Sequence, residues 1–389
     1  MNTGEIKIVR LDSSRRADLQ RLAAVPRNIH RSDPLWVAPL FSHFASVLGP
    51  TNPFWDHAEL AVWVVSRDNR DIGRIAAIDD RTFNQLHGGG TAFFGFFECV
   101  DDPGVAAALF ETALTWTHNR GLHRVLGPMD PSMNDECGLL VHGFDSPPTV
   151  MTPYAPPYYQ KLVEASGFHK AKDLFAYTID PADCPEARLT RLRKIVDRRH
   201  PEIAIRPVTR RTLASDIPRI MKLYNAAWDQ NWGAVPFTDR EITFLVSQLK
   251  PLLVDGLVWV AEKTESVVGF LLLLPDANEV IQPLRGRWIS PGLLVALPYL
   301  IGLRNPRRAR LMVLGTSKNL RGRGLEAAML SEALRVVKRL GMTSCEASWL
   351  LEDNHPVLRM VETFGGKHTK TFRIYQRATD PPLSPSTRR

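Results

Sequence analysis

"LRGRGLEAAML", residues 320–330, is a basic, glycine-spaced turn that leads into an amphipathic helix. The preceding "ARLMVLGT", residues 309–316, is an apolar run that predicts a buried strand. From Leu325 onward the apolar residues recur at helical spacing, so the turn lies at a helix N-terminus. Free N–H groups and the helix dipole favour an anion there, and glycines let the backbone approach it closely. The stretch therefore predicts a strand, a phosphate-holding turn and a helix.

Two common phosphate motifs fit this turn poorly. A Walker-type loop ends in Gly-Lys-Ser/Thr, which is absent here. The dinucleotide fingerprint is satisfied literally by Gly322, Gly324 and Ala327, with Glu346 at a suitable distance. Too few residues follow to complete a dinucleotide domain, and several residues separate the turn from its strand.

The chain repeats itself, because three pairs of segments match in order. Each copy reads as strand-turn-strand, then helix-strand, then helix and a closing hairpin. The matched pairs are 61–77 with 257–273, 109–130 with 329–350, and 162–177 with 360–375. Three matches in register predict two copies of one mixed α/β unit, with a crossover helix over one face of the sheet.

The repeat predicts a division of the chain into successive segments. We expect a first unit at 1–180, a basic linker at 181–205, a second unit at 206–378 and a loose tail at 379–389. The second copy also carries an insertion at about 280–308 that has no counterpart in the first.

The turn resembles the acyl-CoA pyrophosphate turn of the GNAT (N-acetyltransferase-related) superfamily. Arg321 and Gly324 match the family's Arg/Gln-x-x-Gly-x-Gly/Ala pattern, whereas Glu326 replaces the final Gly or Ala. The resemblance implies that residues of the turn bind acyl-CoA, that the preceding strand supplies a backbone oxyanion donor, and that an Asn after the next strand contacts the cofactor. In this sequence the turn residues are Arg321, Gly322, Arg323, Gly324 and Leu325. The strand residues that would supply the oxyanion donor are Val313, Leu314 and Gly315, and the Asn is Asn354.

The first copy lacks this turn and has Asp101 and Asp102 in its place. Two carboxylates would repel a pyrophosphate. We therefore expect a degenerate first unit that does not bind CoA.

Acyl transfer to an amine needs a base, an oxyanion donor and a proton for the leaving thiolate. The family's usual acid is a Tyr four residues before the Gly that ends the last helix, but Val361 and Val163 occupy those positions. Three carboxylates are candidate bases, namely Glu346, Asp276 and Glu352. Each has an alternative interpretation as a helix cap or a solvated loop residue.

Two segments are candidates for binding the acceptor. Asn231 and Trp232 lie in 225–238, where the family places its acceptor-binding helices. The long loop 127–159 carries Asn134, Asp135 and Glu136, which could bind a polar headgroup. The alternative for this loop is a structural clamp between domains.

The insertion contains sixteen residues without a charge, 288–303, with arginines on both sides. It is too short to span a bilayer and contains two prolines. Either it is a buried core helix, or it lies in a membrane interface or walls a lipid-chain tunnel, which the flanking arginines and the terminal Trp and Tyr favour.

Composition indicates which partners, bound metals and cellular location to expect. Net charge is +8, which favours anionic partners, but no nucleic-acid recognition module is recognisable. The four scattered cysteines predict no metal site or disulfide framework, and the polar N-terminus predicts no export signal. We expect a cytoplasmic protein, with a peripheral contact on the inner face of the cytoplasmic membrane if the insertion lies in a bilayer.

Segments such as "NPFWDHAEL", "GFFGFFE" and "NDECGLLVHGFDSPP" resemble a group of bacterial GNAT-like proteins that includes bacterial ceramide synthases. The resemblance implies acyl-CoA-dependent N-acylation of a sphingoid long-chain base, without a metal. Two alternatives stay open: acetylation of a small soluble amine, for which a buried 288–303 is expected, and a non-catalytic acyl-CoA or lipid scaffold.

Overall fold

The computed structural model describes residues 4–228 and 231–379, with the side chain of Trp228 left out. The predicted tail at 379–389 therefore lies outside the described residues, apart from Thr379. The chain forms two compact units. Unit 1 comprises the chain up to Leu174, Arg285–Trp288 and the chain from Thr371, and unit 2 comprises Phe175–Leu284 and Ile289–Lys370.

The first half of the chain alternates strands and helices. Its elements are β1 (Ile6–Leu11), α1 (Arg16–Ile29), α2 (Phe41–Leu48), β2 (Ala58–Arg67), β3 (Arg70–Asp80), α3 (Arg81–Leu86), β4 (Thr91–Cys99), α4 (Pro103–Asn119), β5 (Arg124–Gly127), β6 (Met129–Asp130), β7 (Glu136–Cys137), β8 (Leu139–His142), α5 (Tyr158–Ala165) and β9 (His169–Ile179).

The second half repeats the order and adds elements of its own. These are α6 (Glu186–Arg199), β10 (Ile203–Pro207), α7 (Leu213–Trp228), α8 (Asp239–Leu249), β11 (Val258–Lys263), β12 (Ser266–Pro275), α9 (Asn278–Ile281), α10 (Leu293–Leu300), β13 (Arg308–Thr316), α11 (Leu325–Arg339), β14 (Ser344–Leu351), α12 (His355–Thr363) and β15 (Lys367–Ala378).

The two units have the same strand plan, which confirms the mixed α/β class. In unit 1 the strands follow the order β1-β2-β3-β4-β5-β15, and in unit 2 the order β9-β14-β13-β12-β11-β10. Neighbours are antiparallel in the early hairpins, whereas β4–β5 and β13–β14 are parallel and joined by the crossover helices α4 and α11. The predicted closing hairpin is a single long strand in each copy.

The units do not follow the sequence boundaries predicted at 180 and 206. Unit 1 contains β15 from Thr371 onward, where Tyr375 pairs with Gly127 of β5 and Thr371 with His142 of β8. Unit 2 contains the end of β9, where Tyr177 packs with Ala347 of β14. The sheet of each unit is thus completed by a strand from the other copy of the repeat.

The predicted basic linker is also part of unit 2, because its helix α6 packs on α11. Leu189 and Val196 are buried against this helix and its neighbours. An amphipathic stripe therefore binds the linker to the second copy, and its arginines occupy the remaining faces.

Candidate functional site

Strands β13 and β14 of unit 2 separate part-way along their length. Their parallel ladder covers only Arg308–Leu311 and Ser344–Ala347, although β13 continues to Thr316 and β14 to Leu351. On its other edge β13 stays paired with β12, where Val313 faces Leu272 and Gly315 faces Phe270, with a bulge at Leu272/Leu273. One edge of Val313–Gly315 therefore lies beyond the described pairing with β14, so its backbone can receive an extended ligand.

The turn after β13 leads into α11 as predicted. Gly324 is the residue before the helix, and its φ of 89° lies in the left-handed region that glycine tolerates best. Among the described residues no side chain caps the N-terminus of α11. A Cβ placed on Gly322 would meet no atom within 4 Å. The turn therefore has the open backbone donors that a phosphate needs.

Some charged residues of the turn bond to the protein, and others are exposed to solvent. Arg321 donates from its guanidinium to the carbonyl oxygen of Ala227 at 2.8 Å, so it ties the turn to α7. Arg323 is exposed, and Leu325 is buried in the core beneath the helix. Glu326 accepts from the Thr316 hydroxyl at 2.5 Å, so it bonds back to the end of β13. That contact explains how a carboxylate is tolerated at the departure from the family pattern.

Unit 1 contains the same helix position, but one of its own carboxylates closes it. Asp102 Oδ1 accepts from the backbone N–H groups of Gly104 at 2.9 Å and Val105 at 3.2 Å, at the start of α4. Its Oδ2 lies 2.9 Å from the Arg67 guanidinium. The carboxylate thus occupies the position where unit 2 leaves its N–H donors open.

The strand gap of unit 1 is also filled. Strands β4 and β5 pair only as far as Phe93–Leu126, yet Asp130 lies beside β4 and accepts the Phe96 N–H at 2.5 Å. A Cβ on Gly95 would come within 1.8 Å of the Met129 carbonyl oxygen. This packing and the Asp102 cap support the expectation that the first copy does not bind CoA.

Burial, together with the nearby carboxylate of Glu136, raises the pKa of Asp130 to about 7 against the opposing hydrogen bond from the Phe96 N–H. The carboxyl group of Asp130 therefore titrates near neutrality.

A buried polar network lies in unit 2 where the strands begin to separate. Glu346 on β14 is 5% exposed, and its Oε1 accepts from the Ser348 hydroxyl at 2.9 Å. Arg310 is 1% exposed, and its Nε donates to Ser348 Oγ at 2.9 Å. The Cζ atom of its guanidinium lies 4.5 Å from the centre of the Trp349 ring. Arg310 and Glu346 are register partners in the ladder. Sequence reasoning found Glu346 but missed Arg310, which looks like one of several flanking arginines.

The other two candidate bases have different surroundings. Asp276 is fully buried, lies 2.7 Å from the Arg308 guanidinium and accepts the Asn278 N–H at 3.0 Å. It thereby anchors α9 to the start of β13. Glu352 is half-buried in the turn after β14, and Asn354 precedes α12 without capping it through its side chain.

The candidate acceptor residues lie in two separate places. Asn231 and Trp232 are half-buried in the turn after α7 of unit 2. In unit 1 Asp135 accepts from the Ser132 hydroxyl at 2.6 Å, while Glu136 pairs with Asp130 across the short β6–β7 ladder. The Asn134 N–H donates to Ser132 Oγ at 3.1 Å.

An apolar cavity of about 70 Å³ lies in unit 2 between α11, α12 and the sheet. Its walls include Leu311 and Leu314 of β13, on either side of the point where the strand ladder ends. Burial raises the pKa of the lining thiol of Cys345 to about 12, so this thiol stays protonated and is a poor nucleophile. Among the described residues no cluster of three or more His, Cys, Asp or Glu could hold a metal ion.

Comparison with known proteins shows the family to which this chain belongs. The sequence model of the Acetyltransferase (GNAT) family matches residues 217–365. The chain is 35% identical over 369 residues to the bacterial ceramide synthase of Caulobacter vibrioides, covering 93% of this chain and 95% of that protein. The chain belongs to the GNAT family.

Two further proteins are similar to this chain, one in sequence and one in fold. Protein YghO of Escherichia coli K12 is 32% identical over 364 residues, covering 92% of this chain and 93% of that protein. A tandem GNAT protein from the clavulanic acid biosynthesis pathway shares the fold with a TM-score of 0.57 at 13% identity, covering 97% of this chain and all of that one. The protein is an N-acyltransferase of the GNAT type, a family that uses acyl- or acetyl-CoA as co-substrate.

Proposed function

We propose that this GNAT protein transfers a long acyl group from acyl-CoA to the amine of a sphingoid long-chain base. The observation that carries the CoA part is the open N-terminus of α11 in unit 2, beside the separated strands β13 and β14. The acceptor class is suggested by the related bacterial ceramide synthase, which matches 93% of the chain.

The residues of unit 2 fit a CoA thioester. The backbone N–H groups at the start of α11 and the Arg323 side chain would hold its phosphates, while Arg321 positions the turn. The freed backbone edge of Val313–Gly315 would stabilise the thioester oxyanion. The apolar cavity beside Leu311 and Leu314 would accept the first methylene groups of an acyl chain. When bound, the thioester supplies an activated acyl carbonyl.

Glu346 is the base we propose, because it lies on β14 where the ladder with β13 ends, beside the freed backbone edge of β13. The Ser348 hydroxyl donates to Glu346 and accepts from Arg310, so the carboxylate is oriented before any acceptor arrives. The amine proton would pass to Glu346 as nitrogen attacks, and water would protonate the departing thiolate because the usual Tyr is absent.

We also propose that the acceptor is reached at a membrane surface through the insertion. In the described residues the exposed large hydrophobic side chains are Leu86, Trp288 and seven within 289–303, of which Ile289 is 94% exposed and Leu303 80%. The exposed segment does not fit the buried core helix expected for an enzyme acting on a small soluble amine. No helix among the described residues is long and apolar enough to cross a bilayer.

The test is thiol release by the purified protein with palmitoyl-CoA or acetyl-CoA, each offered with a sphingoid base or with a small soluble amine. We expect turnover with palmitoyl-CoA and the sphingoid base, and loss of CoA-thioester affinity in Arg321→Ala/Arg323→Ala. Turnover confined to acetyl-CoA and the soluble amine would replace the proposal with the acetyltransferase alternative. Thioester binding without turnover on any amine would leave the scaffold alternative. Asn134, Asp135, Glu136, Asn231 and Trp232 remain predicted acceptor contacts, and Glu352 and Asn354 remain predicted site residues.

A further inference from the structure

The linker helix α6 lies antiparallel along the whole of α11 in unit 2. Glu186 at its start is 2.6 Å from Lys338 at the end of α11, and Arg193 in its middle is 3.3 Å from Glu332. Near its end, Val196 Cγ2 lies 3.4 Å from where a Cβ on Gly324 would be. The C-terminal end of α6 therefore reaches the turn that precedes α11.

Two arginines occupy this end of α6. Arg199 is one helical turn beyond Val196 and so continues the face that meets the turn, and Arg198 adjoins it. Both side chains are exposed. Within the described part of the chain neither forms an ion pair, whereas Arg193 is committed to Glu332 and Asp197.

The turn itself is short of positive charge for a ligand with several phosphates. Arg321 is engaged by the Ala227 carbonyl, and Glu326 adds a negative charge in the first turn of α11. Arg323 and the helix N-terminus remain for a pyrophosphate. CoA carries a further phosphate on the ribose 3′ oxygen, a group that the guanidinium fork of arginine binds well.

We propose that Arg198 and Arg199 of the linker helix bind the ribose 3′-phosphate of CoA. This inference rests on the proposed use of a CoA thioester. It gives the linker a role in the site, because the segments that match between the two copies of the repeat do not include α6. If the two arginines bound a free phosphate or a lipid headgroup instead, the protein would bind CoA and 3′-dephospho-CoA equally well.

The experiment is calorimetric titration of the full chain with CoA and with 3′-dephospho-CoA. The test variant is Arg198→Ala/Arg199→Ala. The matched control is Arg188→Ala/Arg191→Ala, two exposed arginines at the opposite end of the same helix. We expect the wild type to prefer CoA by at least about tenfold, the test variant to lose most of that preference with its dephospho-CoA affinity unchanged, and the control to keep it.

Cations at a helix C-terminus also stabilise the helix dipole, so the midpoint of thermal unfolding is measured on each variant. Equal weakening of both ligands, or a wild type that binds both alike, overturns the inference while leaving the proposed function in place. If the wild type binds neither ligand, the proposed function and this inference both fail.

Discussion

At the scale of single residues, the two units differ in which carboxylates occupy equivalent places. Asp102 and Asp130 of unit 1 satisfy backbone N–H groups at the helix N-terminus and in the strand gap. In unit 2 the corresponding helix N-terminus has no side-chain cap among the described residues, and the carboxylate near the gap, Glu346, is bonded to Ser348. A few side chains thus decide which copy of one fold is open to a ligand.

Glu346→Gln should lower kcat by about 10²- to 10⁴-fold, since the amide can still accept from Ser348 but cannot take a proton. The KM for acyl-CoA should change little. Steady-state kinetics measure both constants. The matched control is Asp276→Asn, another buried carboxylate beside an arginine, which should reduce thermal stability but leave kcat nearly intact. A Glu346→Gln enzyme with wild-type kcat would remove Glu346 from the role of base.

Asp130→Asn should raise the thermal midpoint at pH 8 by a few degrees and leave it nearly unchanged at pH 4. Burial holds the folded pKa of Asp130 at about 7, well above its ordinary value of 3.8. Between these values the folded chain keeps a proton that the unfolded chain has released, so the free energy of unfolding falls as pH rises and stays low above pH 7. Asparagine has no such proton and can still accept the Phe96 N–H. Thermal unfolding at both pH values measures the effect.

A uniform shift of the midpoint at both pH values would show that folding does not raise the pKa of Asp130. Asp101→Asn is the control for charge alone, because Asp101 is exposed in a neighbouring loop.

At the scale of elements, the sequence predicted those strands and helices that depend on the pattern of neighbouring residues. The strand, turn and helix over 309–339 follow from apolar periodicity and glycine spacing, and the structure has β13 and α11 there. The network of Arg310, Ser348 and Glu346 depends on the parallel register of strands more than 30 residues apart, which no local pattern contains. The packing of α6 was missed for the same reason, since its apolar stripe is narrow and six of its fourteen residues are basic.

The insertion is an element whose exposed side chains predict its partner. Its helix α10 buries Ala296 but exposes Leu294 at 78%, and no acidic residue occurs from 280 to 325. Exposed apolar side chains with arginines on both flanks suit an anionic bilayer surface. Ile289→Ser/Leu294→Ser/Leu303→Ser should therefore reduce binding to vesicles containing phosphatidylglycerol by about tenfold or more in a sedimentation assay.

Leu86→Ser is the control for this prediction, because Leu86 is a 53% exposed hydrophobic residue outside the insertion. Added salt should weaken the wild-type association, since part of it is electrostatic. Vesicle binding that survives the triple substitution would place the membrane contact elsewhere on the protein.

At the scale of the whole molecule, the repeat was visible in the sequence but its pairing of strands was not. The segments 162–177 and 360–375 resemble each other, so either could close either sheet. The structure gives unit 1 the end of β15 and unit 2 the end of β9. Similarity between the copies is what made the boundaries at 180 and 206 impossible to place from sequence alone.

Because of this exchange of strands, each unit contains residues from both halves of the chain. In β15 the side chains of Phe372, Ile374 and Tyr375 are at most 1% exposed, and Tyr375 donates to Glu164 at 3.0 Å within unit 1. A fragment ending at residue 180 would lose these side chains from its core, at a cost of several kcal/mol. We therefore expect fragment 1–180 to show no cooperative thermal unfolding, although it contains a complete copy of the repeat. Residues 1–174 joined through a flexible linker to 371–379 should regain a cooperative transition, which calorimetry and circular dichroism would detect. A fragment 1–180 that unfolds cooperatively on its own would mean that β9 alone can close the first sheet and that the exchange is not needed for folding.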